Sequence, residues 1–590
     1  MKQFFKFLFA SMFGFILGSI ILFFIFIAII TAAVSSMGSE EVSITDQSIL
    51  QISFNQEIKE RSSNNPFESL DLNNFTAKQQ PGLNGILKDI EKAAKDPKIK
   101  GIFLDVPNIQ GGMATVEEIR NELLKFKKSG KFIYAYADAY SQGAYYLVSV
   151  SDKIYLNPQG LITLNGLATE LMFFKGTLEK LEVEPQVIRH GKYKSAIEPF
   201  ILDKMSDENR AQIAGFVNPI WFHMTDGIAA GRKLEASEVL RIADSLYARN
   251  ADDALRLKLV DKLGYYDEFM AELNIKSGKG KNEKMNFVTL AKYDKVPEPV
   301  SDQPFSKDRI AVIYAVGSIE GGDGNENTIG SDKLSAAIRE ARLDDKVKAI
   351  VMRVNSPGGS ALASDIIWRE VALAKKAKPF IVSMGNVAAS GGYYISCAAD
   401  SIIAQPNTIT GSIGVFGLMF NAQKMLKNKL GITVDTYKTG TYTDIGTVTR
   451  PMTEAERLMI QKDVDQVYNT FTARVAEGRK IPQAMVDSLG QGRVWSGVDA
   501  LRIGLVDRLG GLDDAIASAA KMANVTNYRI KNMPDQKSPY QSLMQDLTSG
   551  AEAKYMQMKL GTEYKYWNAF QNIMSIQGIQ AREFYEIGFN

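Results

Sequence analysis

The chain has 590 residues, of which 45% are hydrophobic and 23% are charged, an ordinary globular composition that excludes a largely disordered chain and favours two or more domains. Its 69 basic and 67 acidic residues leave a net charge of +2, so charge gives no support for a nucleic-acid partner. One cysteine, Cys397, and two histidines exclude an intrachain disulfide and a cysteine-based metal cluster. We therefore expect no metal site, no cofactor and no bound nucleic acid.

The N-terminal region predicts a membrane anchor. Residues 7–34 form a run of 28 residues without a charge, which is longer than the roughly 18 residues that indicate a transmembrane helix. Lys2 and Lys6 precede the run, while Glu40 and Glu41 follow it. Because basic residues favour the cytoplasmic side, the N-terminus is predicted to be cytoplasmic and the rest of the chain to lie outside. A cleaved signal peptide is the alternative, but its apolar region spans only about 7–15 residues.

The chain after the anchor contains one pattern twice. A shift of 248 residues aligns a long series of identical residues, and a shift of 246 gives eight identities over eleven positions between residues 254–264 and 500–510. Chance does not keep one register for so long, so we predict two homologous domains. The predicted segments are a cytoplasmic N-terminus at 1–6, the anchor at 7–34, a first repeat at 45–275, a linker at 276–307, a second repeat at 308–537 and a C-terminal extension at 538–590.

Each repeat combines short apolar segments with helical patterns. In the second repeat, residues 349–354, 380–384 and 401–404 are predicted strands, and residues 361–376 are a predicted helix. Strands that alternate with helices favour a parallel sheet in an α/β fold. Two longer helices are predicted further along the chain, at residues 420–430 and 453–477.

Two glycine-rich turns of the second repeat hold the candidate chemistry. The turn at 355–360 (Asn-Ser-Pro-Gly-Gly-Ser) follows a predicted strand, and its paired glycines can direct backbone N–H groups at a bound atom. The turn at 388–394 (Ala-Ala-Ser-Gly-Gly-Tyr-Tyr) surrounds one serine with small residues, so a substrate backbone can come close to its hydroxyl. Together the turns indicate acyl transfer with an oxyanion hole. Its candidate donors are the amides of Gly358, Gly359 and Gly391.

The repeats differ at these positions in a complementary way. Ser390 of the second repeat aligns with Gln142 of the first, whereas Lys194 of the first repeat aligns with Thr443 of the second. If the two duplicated halves together form one site, each half can lose the catalytic group that the other half supplies. A lysine accepts a proton only as the neutral amine, and burial lowers its pKa from the free value of about 10.4. The pattern therefore predicts a serine nucleophile with a lysine base.

Four motifs resemble the signal peptide peptidase A family, also called protease IV: Asn-Ser-Pro-Gly-Gly at 355–359, Ala-Ser-Gly-Gly-Tyr at 389–393, Thr-Gly-Ser-Ile-Gly-Val at 410–415 and Tyr-Lys-Ser-Ala-Ile-Glu-Pro-Phe at 193–200. The resemblance covers nearly the whole chain and fits the long, duplicated form of the family. It implies two tandem ClpP/crotonase-like α/β domains behind one transmembrane helix. It also implies that Ser390 is the nucleophile, Lys194 the general base and Ser412 a serine that hydrogen-bonds the lysine.

The same resemblance implies a location, an assembly and a substrate. Long members of the family are homotetramers anchored in the bacterial cytoplasmic (inner) membrane, with their catalytic domains on the periplasmic side. They degrade the hydrophobic signal peptides that stay in the membrane after preprotein cleavage. We accordingly expect a serine endopeptidase whose partners are the membrane, such peptides and further copies of this chain.

Two other classes of protein stay open at this point. One is a catalytically silent membrane scaffold on the same fold, which the joint presence of Ser390, Lys194 and Ser412 disfavours. The other is a crotonase-type acyl-CoA enzyme, which also uses backbone N–H groups to bind an oxyanion. An exported location disfavours this second class, because acyl-CoA is a cytoplasmic metabolite.

Several residues near the motifs could be mistaken for catalytic groups. His190 and Lys192 lie close to the candidate base in sequence, but we expect His190 to be structural. Ser356 and Ser360 flank the first glycine turn and are expected to cap the following helix. Cys397 is expected to be buried packing.

Overall fold

A computed structural model describes most of the chain. The described residues are 2–37, 44–62, 70–71, 76–77, 80–281, 283–297, 305–325, 327–536, 556, 559–561, 564 and 578–582. Glu40 and Glu41, part of the predicted linker and most of the predicted extension at 538–590 lie outside these residues.

The N-terminal helix Lys2–Met37 contains the predicted anchor. Its segment Gln3–Ile25 has a mean hydropathy of 2.5 and is not buried against the rest of the chain. Twenty-three helical residues extend for about 35 Å at 1.5 Å per residue, which exceeds the roughly 30 Å hydrocarbon core of a bilayer. The helix is therefore long and apolar enough to cross a membrane.

The first repeat is built on a six-stranded, fully parallel sheet. In spatial order its strands are Lys262–Leu263, Lys153–Ile162, Phe132–Tyr140, Ile99–Leu104, Ser48–Ile52 and Phe287–Thr289. The described helices of this repeat are Leu83–Lys95, Met113–Lys127, Gln142–Val148, Lys175–Leu181, Glu198–Ile201, Asp207–Arg232, Ala236–Asp244, Ala251–Arg256, Tyr266–Ser277 and Leu290–Tyr293, with a 3₁₀ turn at Ser195–Ile197. Two short strands, Leu70–Asp71 and Thr76–Ala77, pair antiparallel with each other.

One boundary prediction needs correction here. Residues 287–293 were predicted to belong to a linker, yet Phe287–Thr289 forms the edge strand beside Ser48–Ile52, and Leu290–Tyr293 packs next to it. Residues 276–307 are rich in charged residues and contain prolines, so the short apolar segment within them gives a weak strand signal. Its strand partner also lies more than 230 residues earlier in the chain.

The second repeat has a corresponding sheet that is parallel except for one edge strand. Its main path is Val494–Ser496, Ile409–Gly411, Phe380–Ala389, Val347–Ser356, Arg309–Val316 and Arg529–Met533, with Ser401–Ala404 beside Phe380–Ala389 and Arg508–Leu509 beside Ser401–Ala404. Its helices are Ser331–Leu343, Ala361–Ala377, Gly391–Ser396, Gln423–Leu430, Glu454–Arg479, Gln483–Leu489, Gly497–Arg502 and Leu512–Met522. The three strands predicted here and the helix at 361–376 are confirmed within a few residues.

Equivalent contacts recur in the two repeats. The hydroxyl of Tyr145 donates to the carbonyl of Leu259 at 2.7 Å, and the hydroxyl of Tyr393 donates to that of Leu505 at 2.9 Å. Each repeat also buries a large apolar cluster; that of the first repeat includes Ile409 and Val494 of the second, and that of the second includes Ile188 of the first. The duplication seen in the sequence therefore preserves three-dimensional contacts as well as residue identities.

A third sheet joins the two repeats. Its order is Thr328–Gly330, Ser318–Glu320, Gly358–Ser360, Ile579–Arg582, Val415–Asn421 and Glu184–His190. The last strand comes from the first repeat and pairs antiparallel with Val415–Asn421 of the second over seven residue pairs. The predicted helix at 420–430 was wrong at its start, because residues 420 and 421 still belong to this inter-repeat ladder. This pairing places the residues that follow His190 beside the second repeat.

A buried ionic cluster also links the repeats. The Arg353 side chain is fully buried and forms ion pairs with Glu60, at 2.8 Å, and with Glu118, both from the first repeat. Buried charges that lose a partner are strongly destabilising. This cluster therefore fixes the position of one repeat relative to the other.

Candidate active site

Ser390 occupies a strained turn between a strand and a helix. It follows the strand Phe380–Ala389 and precedes the helix Gly391–Ser396, with φ at +55° and ψ at −113°. Positive φ is uncommon for residues other than glycine and marks stored strain when the surroundings enforce it. Its amide donates to the carbonyl of Gly411 at 2.8 Å, which holds the turn in place. The turn places the Ser390 hydroxyl within hydrogen-bond distance of Lys194 and of the Gly414 carbonyl.

Lys194 comes from the first repeat but is held by the second. It lies just beyond the strand Glu184–His190, and the neighbouring amide of Tyr193 donates to the carbonyl of Gln491 at 2.9 Å. A Cβ atom placed on Gly492 would lie 2.6 Å from the backbone nitrogen of Lys194, and one placed on Gly414 would lie 3.3 Å from the Lys194 Cδ. The lysine stem can lie here because both neighbours are glycines.

The three residues that the sequence analysis singled out meet at one point. Lys194 Nζ donates to Ser390 Oγ at 3.2 Å and to Ser412 Oγ at 2.9 Å. All three residues have an exposed fraction of 0%. A base within hydrogen-bond distance of a nucleophile, and held by a third group, is the geometry that nucleophilic catalysis requires.

The hydroxyls of Ser390 and Ser412 also form hydrogen bonds with backbone carbonyls of the second repeat. Ser390 Oγ donates to the carbonyl of Gly414 at 3.3 Å, and Ser412 Oγ donates to that of Gly492 at 3.4 Å. Ser412 has φ at +50°, and its amide donates to the carbonyl of Arg493 at 2.7 Å. With its proton directed at Gly492, Ser412 offers lone pairs to the lysine and fixes the position of the amine.

An aromatic ring from a buried apolar cluster lies near the amine. The ring of Phe416 lies 6.0 Å from Lys194 Nζ. Phe416 belongs to a buried cluster with five other apolar residues, namely Leu178, Ala196, Ile197, Phe200 and Leu418. Burial among apolar side chains disfavours the charged ammonium, whereas the face of the Phe416 ring attracts a cation.

The glycine turn at 355–360 lies against the start of the Ser390 helix. A Cβ atom on Gly358 would lie 2.6 Å from the Gly391 nitrogen, so the two predicted donor segments are in contact. The Gly358 amide itself donates to Ser356 Oγ at 3.1 Å. Of the three amides named from the sequence, those of Gly359 and Gly391 are therefore the better candidates to bind an oxyanion.

Other residues near the motifs have structural partners. His190 contacts Asp465 at 2.7 Å and stacks on Tyr468 with ring centroids 3.9 Å apart. Lys192 is exposed. Ser360 caps the helix Ala361–Ala377 by accepting from Ala363 at 3.3 Å, whereas Ser356 binds within its own turn rather than capping that helix.

Cys397 lies in the core, where burial raises the pKa of its thiol to about 12. A thiol with a raised pKa is a poor nucleophile. Among the described residues, no group of three or more His, Cys, Asp or Glu side chains is placed to hold a metal ion.

Two features of the site were not predicted from the sequence. One is the loop Gly490-Gln491-Gly492, whose paired glycines give a local signal of a tight turn but no indication that a lysine packs there. The other is Gln212, which donates to Ser195 Oγ at 3.0 Å and accepts from the amide of Val494 at 3.0 Å. It therefore ties the residue after the lysine to the second repeat.

Comparison with known proteins identifies the family. The sequence model of Peptidase family S49 matches twice, at residues 125–279 and 372–526. Protease 4 of Salmonella typhi is 38% identical over 484 residues, which cover 80% of this chain and 77% of that protein. The chain belongs to peptidase family S49. Protease 4 of Haemophilus influenzae is 35% identical and covers 78% of each chain, and the chloroplastic serine protease SPPA of Arabidopsis thaliana is 35% identical and covers 83% of this chain.

The comparisons confirm several predictions for this S49 peptidase. Each repeat matches the S49 model separately, and the Clp protease model matches residues 321–410. The chain is thus a serine-type protease made of two tandem α/β domains of the ClpP-like class, in the long form of the protease 4 family. A structure of the membrane-bound stomatin-specific protease 1510-N with a substrate peptide covers 41% of this chain, with 16% identity and a TM-score of 0.27.

Proposed function

We propose that this S49 peptidase is a membrane-anchored endopeptidase that uses Ser390 and Lys194 as a catalytic dyad. The observation that supports the proposal most directly is the buried contact between Lys194 Nζ and Ser390 Oγ at 3.2 Å. Its substrates are cleaved signal peptides and other hydrophobic peptides at the outer face of the bacterial cytoplasmic membrane. The peptidase needs no metal or cofactor for this chemistry.

The catalytic cycle follows from the positions of the three side chains. Neutral Lys194 takes the proton of Ser390 as Oγ attacks the peptide carbonyl carbon, and the amides of Gly359 and Gly391 bind the oxyanion that forms. The resulting ammonium gives its proton to the departing amine. Water then hydrolyses the acyl-enzyme, with Lys194 again acting as the base.

Ser412 acts as a positioning residue in this mechanism. Its hydroxyl accepts from Lys194 Nζ at 2.9 Å and donates to the Gly492 carbonyl. The neutral amine still has two N–H groups, so Ser412 can accept from Lys194 Nζ in both protonation states and leave the single lone pair of the amine free to take the Ser390 proton.

The location and substrate class rest on the N-terminal helix and on the family. Lys2 and Lys6 precede the apolar span, which supports a cytoplasmic N-terminus and periplasmic catalytic domains. A helix that holds the peptidase at the bilayer brings it close to peptides that stay in the membrane. Assembly into homotetramers is part of the proposal and is supported by the family resemblance alone.

Degradation of a synthetic signal peptide by the full-length protein in mixed micelles tests this function. The expected result is cleavage of the hydrophobic peptide by the wild-type protein and none by Ser390→Ala, measured by mass spectrometry of the products. A peptide of equal length with its apolar core replaced by Ser and Gln is the matched substrate control. Equal cleavage of both peptides would contradict the substrate class, and equal cleavage by the variant would contradict the nucleophile.

A further inference from the structure

The strand Phe380–Ala389, which leads to Ser390, contains a bulge. Its regular pairing with Val347–Ser356 is interrupted, so that one residue, Asn355, faces the three residues 385–387. A bulge bends its strand and changes the direction of the side chains beside it, and bulges are common next to active sites. The position of Ser390 therefore depends on the contacts that hold this bulge.

Asn355 connects the bulge to the first repeat. Its Oδ1 accepts from the amide of Val387 at 3.1 Å, and its Nδ2 donates to Glu60 Oε1 at 2.8 Å. Glu60 belongs to the first repeat and has an exposed fraction of only 5%. A Cβ atom on Gly385 would lie 2.6 Å from the same carboxylate oxygen. One carboxylate of the first repeat thus contacts both strands at the bulge.

The second oxygen of Glu60 belongs to the buried ionic cluster. Arg353 Nε donates to Glu60 Oε2 at 2.8 Å. The other carboxylate of the cluster, Glu118, binds Arg353 Nη2 with one oxygen and accepts from the amide of Leu512 at 2.9 Å with the other. Each carboxylate therefore accepts from two different residues, but only Glu60 binds Asn355.

Thr115 of the first repeat holds the bulge at a second point. Its amide donates to Asn386 Oδ1 at 3.0 Å, and Asn386 Nδ2 donates to Thr115 Oγ1 at 2.9 Å. Thr115 has an exposed fraction of 2%. Two separate contacts with the first repeat therefore fix the three bulged residues.

The bulge is coupled to both turns of the proposed active site. Asn355 is the first residue of the glycine turn at 355–360, and the bulge ends shortly before Ser390. The two turns are in backbone contact, because a Cβ atom on Gly392 would lie 2.6 Å from the carbonyl oxygen of Ser356. A misplacement of about 1 Å at a reacting group can lower a rate about 10²-fold. A shift of the bulge would therefore disturb the nucleophile and the oxyanion hole together.

The aligned positions of the first repeat cannot form the same contacts. With the shift of 248 residues, Pro107 aligns with Asn355 and has no polar side chain. Asp105 aligns with Arg353 and has the opposite charge. The turn that follows there is relaxed, with φ of Ser141 at −66°. The contacts with the bulge therefore accompany the strained turn of the nucleophile and not its relaxed counterpart.

We propose that Glu60 is a positioning residue for the nucleophile and the oxyanion hole, and that it acts through Asn355. This inference rests on the proposed function. The first repeat then contributes twice to the reaction: Lys194 takes the proton, and Glu60 fixes the bulge that sets Ser390 against the donor amides. Because this placement matters in the transition state more than in peptide binding, loss of the Glu60–Asn355 hydrogen bond lowers kcat and leaves KM nearly unchanged.

Comparison of Glu60→Gln with Glu118→Gln tests this role. Each substitution removes one charge that pairs with Arg353, so the two variants loosen the ionic cluster in the same way. A glutamine has one carbonyl oxygen, so at position 60 it cannot accept from both Arg353 and Asn355.

The two variants are expected to differ in kcat for peptide cleavage. In Glu60→Gln, kcat should fall about tenfold or more with KM within about twofold of the wild-type value, whereas Glu118→Gln should keep kcat within about twofold. Equal losses of kcat in the two variants, or a wild-type kcat in Glu60→Gln, would overturn the inference.

An exchange of the two polar groups covers the case in which Glu60→Gln does not fold. In the double variant Glu60→Gln/Asn355→Asp, the amide can accept from Arg353 and donate to the new carboxylate, which still accepts from the amide of Val387. The buried charge is unchanged. Asn355→Asp alone places two carboxylates against each other and should lower kcat about tenfold or more, whereas the double variant should return to within about threefold of wild type. A folded double variant with kcat as low as that of Asn355→Asp would overturn the inference.

A fluorophosphonate probe separates this inference from the proposed function. Titration of Ser390 with the probe gives the fraction of intact sites in each preparation, so that kcat is expressed per labelled site. A wild-type protein that is neither labelled at Ser390 nor active contradicts the proposed function itself. A wild-type protein that is labelled and active, with Glu60→Gln and Glu118→Gln equal per labelled site, contradicts only the role of Glu60.

Discussion

The two repeats build the same strand-to-helix turn in different ways. In the second repeat, Ser390 itself makes the turn with φ at +55° and has no capping role. In the first repeat, Ser141 precedes the helix with φ at −66° and caps it by accepting from the amide of Ala144. Gln142, which aligns with Ser390, lies inside this helix. The strained backbone is present only in the repeat that has the nucleophile.

The side chains at the aligned positions differ as much as the backbone does. Gln142 Oε1 accepts from the amides of Asn165 and Gly166, both at 3.0 Å, and so ties down a loop. Thr443, which aligns with Lys194, is exposed and donates to the Gly440 carbonyl at 3.1 Å. The duplication kept the scaffold in both halves, whereas the strained turn of the nucleophile and the reactive groups are found in one site between them.

Removal of either dyad residue is expected to have the largest effect. Ser390→Ala and Lys194→Ala should each lower kcat/KM for peptide cleavage by at least about 10³-fold, and the double variant should lose little more, because the two residues act as one unit. Lys194→Arg should be equally inactive, since a guanidinium stays protonated. Steady-state cleavage assays on proteins with wild-type thermal stability measure this. An active Lys194→Arg variant would show that the base lies elsewhere.

The pH profile should report the same base. Lys194 must lose its proton before it can act, so kcat/KM should rise with pH, and burial should place the apparent pKa below the free-lysine value of about 10.4. His190→Ala should leave the profile in place, because this histidine contacts Asp465 and Tyr468 rather than the dyad. If the rise of kcat/KM with pH disappeared in His190→Ala, the assignment of Lys194 as the base would be contradicted.

Ser412→Ala should have an intermediate effect. It removes one hydrogen bond that positions the amine, so kcat/KM should fall by about tenfold while KM stays close to the wild-type value. Ser149→Ala, at another fully buried serine that bonds only to a helix carbonyl, is the matched control. If Ser412→Ala lost only as much stability as Ser149→Ala and kept the wild-type kcat, Ser412 would be a purely structural residue, which would refute its positioning role.

Substitutions at Gln142 and Thr443, which align with Ser390 and Lys194, should have the smallest effects on activity. Gln142→Ala should keep kcat/KM but lower the free energy of unfolding by about 1 kcal/mol, because it removes the hydrogen bonds that a buried side chain accepts from the amides of Asn165 and Gly166. Thr443→Ala should change neither activity nor stability by more than about 0.5 kcal/mol, since its side chain is exposed. Denaturant unfolding and peptide cleavage measure both. A strong loss of activity in Thr443→Ala would contradict the asymmetry between the repeats.

The sequence predicted those parts of the structure whose signals are local or duplicated. The repeat, the buried strands and the exchange of Ser390 and Lys194 between the halves follow from residue identities and apolar patterns. The strand at 415–421 was partly taken for a helix because its partner, residues 184–190, lies in the other repeat. The packing of Lys194 against Gly492 likewise depends on residues about 300 positions apart.

The extension at 538–590 shows the same limit most clearly. It has no counterpart in the first repeat, so alignment of the halves gives no information about it. Its four-residue strand at 579–582 is too short for a period-two pattern to be recognised. Only the three-dimensional structure shows that this strand pairs with Gly358–Ser360 and Val415–Asn421.

The rate of covalent labelling of Ser390 tests the central claim, a serine of one repeat activated by a lysine of the other, most directly. A fluorophosphonate probe with peptide mapping reads out the modified residue and its rate in the wild-type protein, Lys194→Arg and Thr443→Ala. The account predicts modification of Ser390 in the wild type and in Thr443→Ala, faster at higher pH, and no modification in Lys194→Arg. Labelling of Ser356 instead, or labelling of Ser390 in Lys194→Arg at the wild-type rate, would contradict it.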